Sequence, residues 1–147
     1  MKYILFIAAL FSFNGLFAQN DTIKVKEHYQ KAVMLAVDWT EQLMSGENVE
    51  KIVAYTALPF VKDGDEILIT KKEVTDFYKE VILDKGKRKV PQMEARILSE
   101  RKEILDQCIP VVYTVVAVDV EFKGEKERIV ISVLYTNGEY KVAGFKD

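Results

Sequence analysis

The sequence is poor in the residue types from which disulfides, metal centres and catalytic dyads are built. Among 147 residues it has one cysteine, Cys108, and one histidine, His28. A single cysteine excludes an intramolecular disulfide, so the fold must depend on its apolar core. One histidine, one cysteine and scattered acids give no metal-ligand spacing, and we therefore predict no metal site and no cofactor.

An excess of charge of either sign is also missing. The chain has 21 lysines and arginines against 23 aspartates and glutamates, which gives a formal net charge of -2. This balance gives no reason to expect nucleic acid or an anionic membrane surface as a partner. A hydrophobic content of 49% and a length of about one domain are typical of a single globular domain.

A long apolar run follows the first residues of the chain. Lys2 precedes the apolar stretch Ile4 to Phe13, and Ala18 offers a small residue for cleavage. This is the pattern of a secretory signal peptide over residues 1–18, and an uncut membrane anchor is the alternative. No cysteine follows the predicted cut, so we do not expect a lipoprotein. We expect an exported, soluble protein, periplasmic or extracellular, without membrane association after signal removal, whose residues 19–147 form one domain.

Helix signals follow the predicted cleavage site. Asp21 or Thr22 can cap a helix that runs to about Ser45, where glycine follows. The apolar arc of this helix is wide, which is typical of a helix wrapped by a sheet. A second, short helix is predicted over Asn48 to Thr56.

The middle of the chain combines a small β-arm with a third helix. Ala57 to Val61 and Ile67 to Ile69 are predicted to form a hairpin around a glycine turn. Thr70 and Glu73 form a capping box that opens the third helix, and Gly86 ends it.

The C-terminal stretch from Pro110 to Phe145 is predicted to form three antiparallel strands rich in β-branched residues. We place the two turns at Gly124-Glu125 and Asn137-Gly138. The resulting pairs are Glu121–Arg128, Val120–Ile129, Val118–Ile131, Val116–Val133, Tyr135–Tyr140, Val133–Val142 and Ile131–Gly144. Met93 to Leu105 is ambiguous, because its composition favours helix whereas its alternation favours a strand beside the next one.

These pairings divide the predicted strands into two faces. The core face carries Val112, Thr114, Val116, Val118, Val120, Ile129, Ile131, Val133, Tyr135, Tyr140 and Val142. The outer face carries Tyr113, Val115, Ala117, Asp119, Val130, Ser132, Leu134, Ala143 and Phe145. The middle of the outer face is apolar, although the uncovered face of an antiparallel sheet is usually polar.

The order of long helix, short helix, Leu58-Pro59-Phe60 arm, capped helix and closing strands resembles the nuclear transport factor 2-like superfamily. The closing segment Asn137 to Phe145 also matches, and the resemblance covers all of the chain after the signal. It implies an α+β cone, in which a curved antiparallel sheet wraps the long N-terminal helix, two further helices complete the fold and a pocket remains. It also favours a strand at Met93 to Leu105. The superfamily includes polyketide cyclase-like and ketosteroid isomerase-like proteins, so the fold does not specify the function.

The predicted core face offers little catalytic chemistry. The isomerase-like members use a carboxylate base with an oxyanion hole of tyrosine and a protonated acid, but no Asp, Glu or His falls on the core face here. His28 is a weak candidate for a base, against the alternative of a half-exposed residue at a helix start. The candidate ligand-pocket residues are Tyr29, Trp39, Thr114, Tyr135 and Tyr140, although such aromatic residues are more often plain core.

We therefore predict a secreted bacterial protein that is a non-catalytic module binding a small apolar ligand or another molecule. The alternative is a small cone-fold enzyme of isomerase, dehydratase or cyclase type, acting on an apolar carbonyl or hydroxy substrate. We also predict a homodimer through the outer face, since contiguous apolar patches are rarely left exposed. Its candidate interface residues are Tyr113, Val115, Ala117, Val130, Leu134 and Phe145.

Overall fold

The computed structural model describes residues 17–89, 92–105 and 109–147, with side chains described for 26–89, 92–104 and 110–147. The predicted signal peptide before Phe17, and Cys108, lie outside the described residues. The described elements follow one another as α1 (Phe17–Ser45), α2 (Val49–Ala54), β1 (Thr56–Lys62), β2 (Glu66–Leu68), α3 (Lys71–Lys85), β3 (Gln92–Leu105), β4 (Ile109–Phe122), β5 (Glu125–Thr136) and β6 (Glu139–Lys146).

The chain divides into two compact units, Met1–Gln30 and Lys31–Asp147. The described part of the first unit is helical. The helix α1 begins at Phe17, a few residues before the predicted cap at Asp21 or Thr22. All other elements and the last part of α1 belong to the second unit. Among the described residues, none of the helices has the length and apolarity that a membrane crossing requires.

The helix ends form where the sequence provides caps. The Asn48 side chain accepts a hydrogen bond from the backbone N–H of Lys51 at the start of α2. At the start of α3, Thr70 and Glu73 form the predicted capping box, in which each side chain accepts from the backbone of the other residue. These bonds satisfy N–H groups that a helix start leaves unpaired, so the beginning of α3 is fixed locally.

The six strands form one mixed sheet in the order β2-β1-β6-β5-β4-β3. The ambiguous segment is strand β3, as the resemblance indicates, and it pairs along its length with β4. The prediction of a purely antiparallel sheet was incomplete, because β1 runs parallel to β6. Through this parallel pairing, the hairpin of β1 and β2 extends the sheet beyond β6.

The predicted register of β4 and β5 was wrong by two residues. Val118 pairs with Ile129, not with Ile131. The turn residues are Lys123 and Gly124, both with positive φ, of 52° and 83°, which corresponds to a type I′ turn. A shift of two keeps every side chain on its predicted face, so the core face and the outer face of these two strands are as expected.

The register of β5 and β6 was correct near the turn and wrong beyond it. Tyr135 pairs with Tyr140 and Val133 with Val142, but Ile131 pairs with Phe145 because Ala143 is an extra residue in β6. Such a bulge reverses the faces that follow it. Phe145 therefore lies on the core face, where its ring contacts Trp39, Phe60 and Phe77, and its predicted place on the outer face was wrong.

The core of the second unit lies between the sheet, the last part of α1 and α3. Ala32, Ala36 and Trp39 recur at helical spacing on α1 and have no exposed surface. The buried residues of the core cluster are Ala32, Ala36, Trp39, Ile52, Val53, Phe60, Leu68, Val74, Tyr78, Val116, Val118, Val120, Ile131, Val133 and Val142. The β-branched residues of β4 and β5 supply the sheet side of this cluster.

Candidate ligand-binding cleft

A cleft of about 1000 Å³ lies within the second unit. Five regions contribute to it: the last part of α1, the turn after β1, the second half of α3 with the segment behind it, the beginning of β5, and the end of the chain from Phe145. Its lining residues are Trp39, Leu43, Met44, Lys62, Asp63, Phe77, Glu80, Val81, Leu83, Asp84, Lys85, Gly86, Arg88, Glu127, Arg128, Ile129, Phe145 and Asp147. A volume of this size is in the range of small-molecule sites.

The inner wall of the cleft is aromatic. The rings of Phe77 and Phe145 are stacked, with centroids 5.9 Å apart and planes at 22°. Phe60 lies behind both, 6.3 Å from Phe77 and 6.0 Å from Phe145. Phe77 and Phe145 are half-buried, whereas Phe60 is fully buried, so the first two can contact a ligand and the third supports them.

Trp39 borders the cleft but does not form its surface. Its side chain has 0% exposure, and its ring lies 5.5 Å from that of Phe145. Since a side chain without exposed area cannot touch a ligand in this conformation, Trp39 is a residue of the layer beneath the wall.

The polar atoms of that buried layer are joined in a directional chain of hydrogen bonds. Trp39 Nε1 donates to Tyr78 Oη at 3.0 Å. Tyr78 Oη lies 2.7 Å from Thr56 Oγ1, which donates to the carbonyl of Ile52 at 2.8 Å. Because the Thr56 proton is committed to Ile52, the Tyr78 hydroxyl is the donor to Thr56. Every proton in the chain is therefore used inside the fold.

Burial raises the pKa of Tyr78 to about 12, against the smaller opposing effect of its hydrogen bonds with Thr56 and Trp39. The phenol is consequently neutral at physiological pH. It also has its donor committed to Thr56, so it is not placed to stabilise an anion in the cleft.

The rim of the cleft carries charged side chains of both signs. Lys62 forms an ion pair with Glu66 at 2.7 Å, and its ammonium lies 5.1 Å from the ring centroid of Phe77. Arg128 donates to both oxygens of Asp119, at 2.6 and 3.1 Å. Both cations are thus held by acids that do not line the cleft.

Asp63 and Asp147 meet at the edge of the rim. Desolvation raises the pKa of the Asp63 carboxyl, and the neighbouring charge of Asp147 and a hydrogen bond with it add to this effect. Lys62 acts in the opposite direction. Within the described side chains there is no group of three or more His, Cys, Asp or Glu placed to hold a metal ion.

The residues that the sequence suggested for a pocket lie in different places. Tyr29 belongs to the first unit, where its ring lies 5.9 Å from that of His28. Thr114 is fully buried on β4, and Tyr135 and Tyr140 form a cross-strand pair with ring centroids 4.6 Å apart. Of the five candidates, Trp39 is the one that borders the described cleft.

Sequence reasoning missed the two residues that form the aromatic wall. Phe77 is recognisable as part of the apolar face of α3, together with Val74, Tyr78 and Val81, but helical spacing does not distinguish a cleft wall from the core. Phe145 was assigned to the wrong face because no residue pattern marks the extra Ala143 in β6.

No protein-family model matches the sequence, and no curated protein matches it. Among solved structures, a designed protein described as "Rd1NTF2_05 with long sheet" is 13% identical, covers 80% of this chain and 93% of its own, and gives a TM-score of 0.52. Aln2 from a Streptomyces species is 10% identical over 82% of this chain and 88% of its own, with a TM-score of 0.47. The association domain of C. elegans CaMKII is 11% identical over 82% of this chain and 95% of its own, with a TM-score of 0.46. The likeness to the first of these structures establishes the fold and leaves the activity open.

Proposed function

The chain has the nuclear transport factor 2-like cone fold, and we propose that it binds a small amphipathic ligand in the cleft without catalysing a reaction. The observation that carries this proposal is the cleft of about 1000 Å³ with the stacked rings of Phe77 and Phe145 on its inner wall. An apolar wall beneath a charged rim suits a ligand with an apolar body and a polar end.

We infer that the protein is not a catalyst because its buried hydrogen-bond donors near the cleft donate to other groups of the fold. An isomerase-type site needs a hydrogen-bond donor aimed at the position where negative charge develops. Tyr78 and Trp39 are the buried donors nearest the wall, and both donate within the fold. The described carboxylates of the rim lie at its solvent-exposed edge, where a carboxyl group is a weak base.

The alternative of a small cone-fold enzyme has one observation in its favour. The pKa of Asp63 is raised by desolvation and by Asp147, and a raised pKa is a property of catalytic acids. Asp63 itself is exposed, so we rank this alternative second. Turnover of a carbonyl or hydroxy substrate that is abolished in Asp63→Asn would reverse the ranking.

Binding can be followed through Trp39, because it is the only tryptophan of the chain. Its single indole N–H resonance in isotope-labelled protein should move when a ligand reaches the neighbouring Phe145. We propose titration with decylamine, decanol and decanoate, which share one apolar chain and differ in their head group. At least one of them should shift the resonance in a saturable manner.

Val81→Phe should block the cleft, since Val81 is half-buried on its lining. Lys79→Phe adds the same ring to α3 at an exposed position outside the lining and serves as the matched control. Binding lost in Val81→Phe and kept in Lys79→Phe supports the proposal. Failure of all three amphiphiles to bind, or equal binding by the two variants, would refute it.

We further propose a homodimer through the outer face of the sheet. Tyr113 pairs with Leu134 and Ala117 with Val130, and Val115 lies between them on β4. Ala117 is buried and the other four side chains are half-buried. Leu134→Glu should give a folded monomer by light scattering, whereas Glu127→Gln, away from this patch, should not change the mass. A wild-type protein that is monomeric at tens of micromolar, where a weak dimer is still detectable, would contradict the dimer.

Export is also proposed, on the apolar stretch and the small Ala18 that follows it. Residues 1–18 are the proposed signal peptide and residues 19–147 the mature domain. N-terminal sequencing of the exported protein should begin at or near Gln19. Full-length protein retained in a membrane pellet would argue for an uncut anchor instead.

A further inference from the structure

Among the described residues around the cleft, more carboxylates than cationic side chains are free of an ion-pair partner. Of its four cationic side chains, Lys62 is paired with Glu66 and Arg128 with Asp119, and neither acid lines the cleft. Arg88 and Lys85 are the remaining two. The Arg88 guanidinium lies 5.6 Å from the ring centroid of Phe122 and donates to the Lys85 carbonyl at 3.5 Å. The cations that could meet an anionic ligand are therefore few.

The carboxylates of the cleft are more numerous and less engaged. The side chains of Asp84 and Glu127, both on the lining of the cleft, form neither an ion pair nor a hydrogen bond with any residue that the structure describes. Glu80 has an attraction to Lys62 beyond ion-pair distance. Asp63 and Asp147 complete the set of five. The lining residues carry five carboxylates and four cations, and the Lys62 charge is paired with Glu66 outside the cleft, which leaves a local excess of two negative charges. Arg128 is held by Asp119, a carboxylate that it shares with Arg96.

The positions of these acids complement the aromatic wall. Glu80 and Asp84 are one helical turn apart on α3, the helix that also presents Phe77, and Glu127 stands on β5 next to Arg128. A ligand whose apolar body contacts Phe77 and Phe145 would therefore have carboxylates at its polar end. A cleft lined by charge of one sign raises the local concentration of oppositely charged ligands.

We propose that the cleft selects cationic amphiphiles, that is, molecules with an apolar body and an ammonium-type head group held among Glu80, Asp84 and Glu127. This inference rests on the proposed function, because it specifies the ligand class for the same cleft. It makes the head group, rather than the apolar body, the element that distinguishes one ligand from another.

The three decyl compounds test the inference directly, because they differ only in their head group. Decylamine should bind roughly tenfold more tightly than decanol, and decanoate should bind most weakly. Added sodium chloride should reduce the preference for the amine, since salt screens charges near the surface. Decanol or decanoate binding as tightly as decylamine would overturn the inference but leave the cleft as a ligand site. Failure of all three to bind would overturn both proposals.

A charge-neutral variant separates the local acids from the net charge of the protein. Glu80→Gln, Asp84→Asn and Glu127→Gln combined should reduce the preference for decylamine over decanol by roughly tenfold. The matched control combines Glu47→Gln, Glu50→Gln and Glu139→Gln, which are exposed acids outside the cleft lining and change the net charge equally. Equal loss of preference in both triple variants, or no loss in the cleft variant, would overturn the assignment.

Discussion

The indole N–H of Trp39 donates a 3.0 Å hydrogen bond to the hydroxyl of Tyr78, and both side chains are fully buried. Through Thr56 the bond continues to the backbone of α2, so that α1, α3, β1 and α2 share one chain of donors and acceptors. Their rings also meet edge to face, at 6.2 Å and 67°. The pair therefore fixes the layer on which the wall of the cleft rests.

Tyr78→Phe should destabilise the protein by about 1–3 kcal/mol, because it leaves the Trp39 N–H buried without an acceptor. Urea denaturation measures this loss. Tyr55→Phe is the matched control, since its hydroxyl donates to Asp38 at 2.9 Å in a half-buried site where water can replace the lost partner. An equal loss of stability in the two variants would mean that the buried hydrogen bonds of Tyr78 contribute no more than the half-buried one of Tyr55.

Stability should fall at alkaline pH in a manner that depends on Tyr78. The unfolded phenol loses its proton near pH 10, whereas burial raises the pKa of the folded phenol to about 12. Between these values the unfolded state binds fewer protons, so the contribution is complete below about pH 10 and is lost as pH rises towards 12. The expected loss is about 2–3 kcal/mol. Measuring the free energy of unfolding against pH for wild type and Tyr78→Phe isolates this loss, because the variant lacks the phenol. Identical pH dependence in the two proteins would contradict a raised pKa of Tyr78.

Gly144→Ala should destabilise the contact between β1 and β6. A Cβ at this position would lie 2.6 Å from the backbone oxygen of Val61, and a backbone atom cannot move aside as a flexible side chain can. The expected cost is about 1–3 kcal/mol, measured by thermal or urea unfolding. Ser132→Ala, directly across from Gly144 on β5, adds no atom and should have little effect. An unchanged stability in Gly144→Ala would show that β1 can shift.

Val118→Asp should unfold the domain, whereas Asp119→Ala should not. Val118 has 0% exposure, and an unpaired charge there costs several kcal/mol against a total stability of about 5–15. Asp119 lies on the outer face, where Arg128 and Arg96 lower the pKa of its carboxyl. Its small contribution is present above its ordinary pKa and disappears as pH falls through the lowered value. Equal thermal shifts for the two variants would mean that the faces of β4 are misassigned.

The element order, the capping box of α3 and the faces of β4 and β5 could be predicted because each depends on local chemistry or on alternation. The register of β4 and β5 could not, since Lys123-Gly124 and Gly124-Glu125 are both acceptable turns and differ by a shift that conserves the faces. The cleft was not predictable either. Phe77, Glu127 and Phe145 are far apart in sequence, and their meeting depends on sheet geometry and on one extra residue.

That extra residue, Ala143, matters for comparing this chain with its relatives. Within β6 it separates Val142 from Phe145 by one position more than regular alternation allows for two residues on the same face. A regular strand through the same residues would direct the Phe145 ring towards the opposite side and lose one half of the stacked wall, so a relative without the bulge would need one residue fewer between Val142 and the ring. Alignments across this strand therefore require a gap beside Ala143, and conservation scored without that gap would assign ligand contacts to the wrong column.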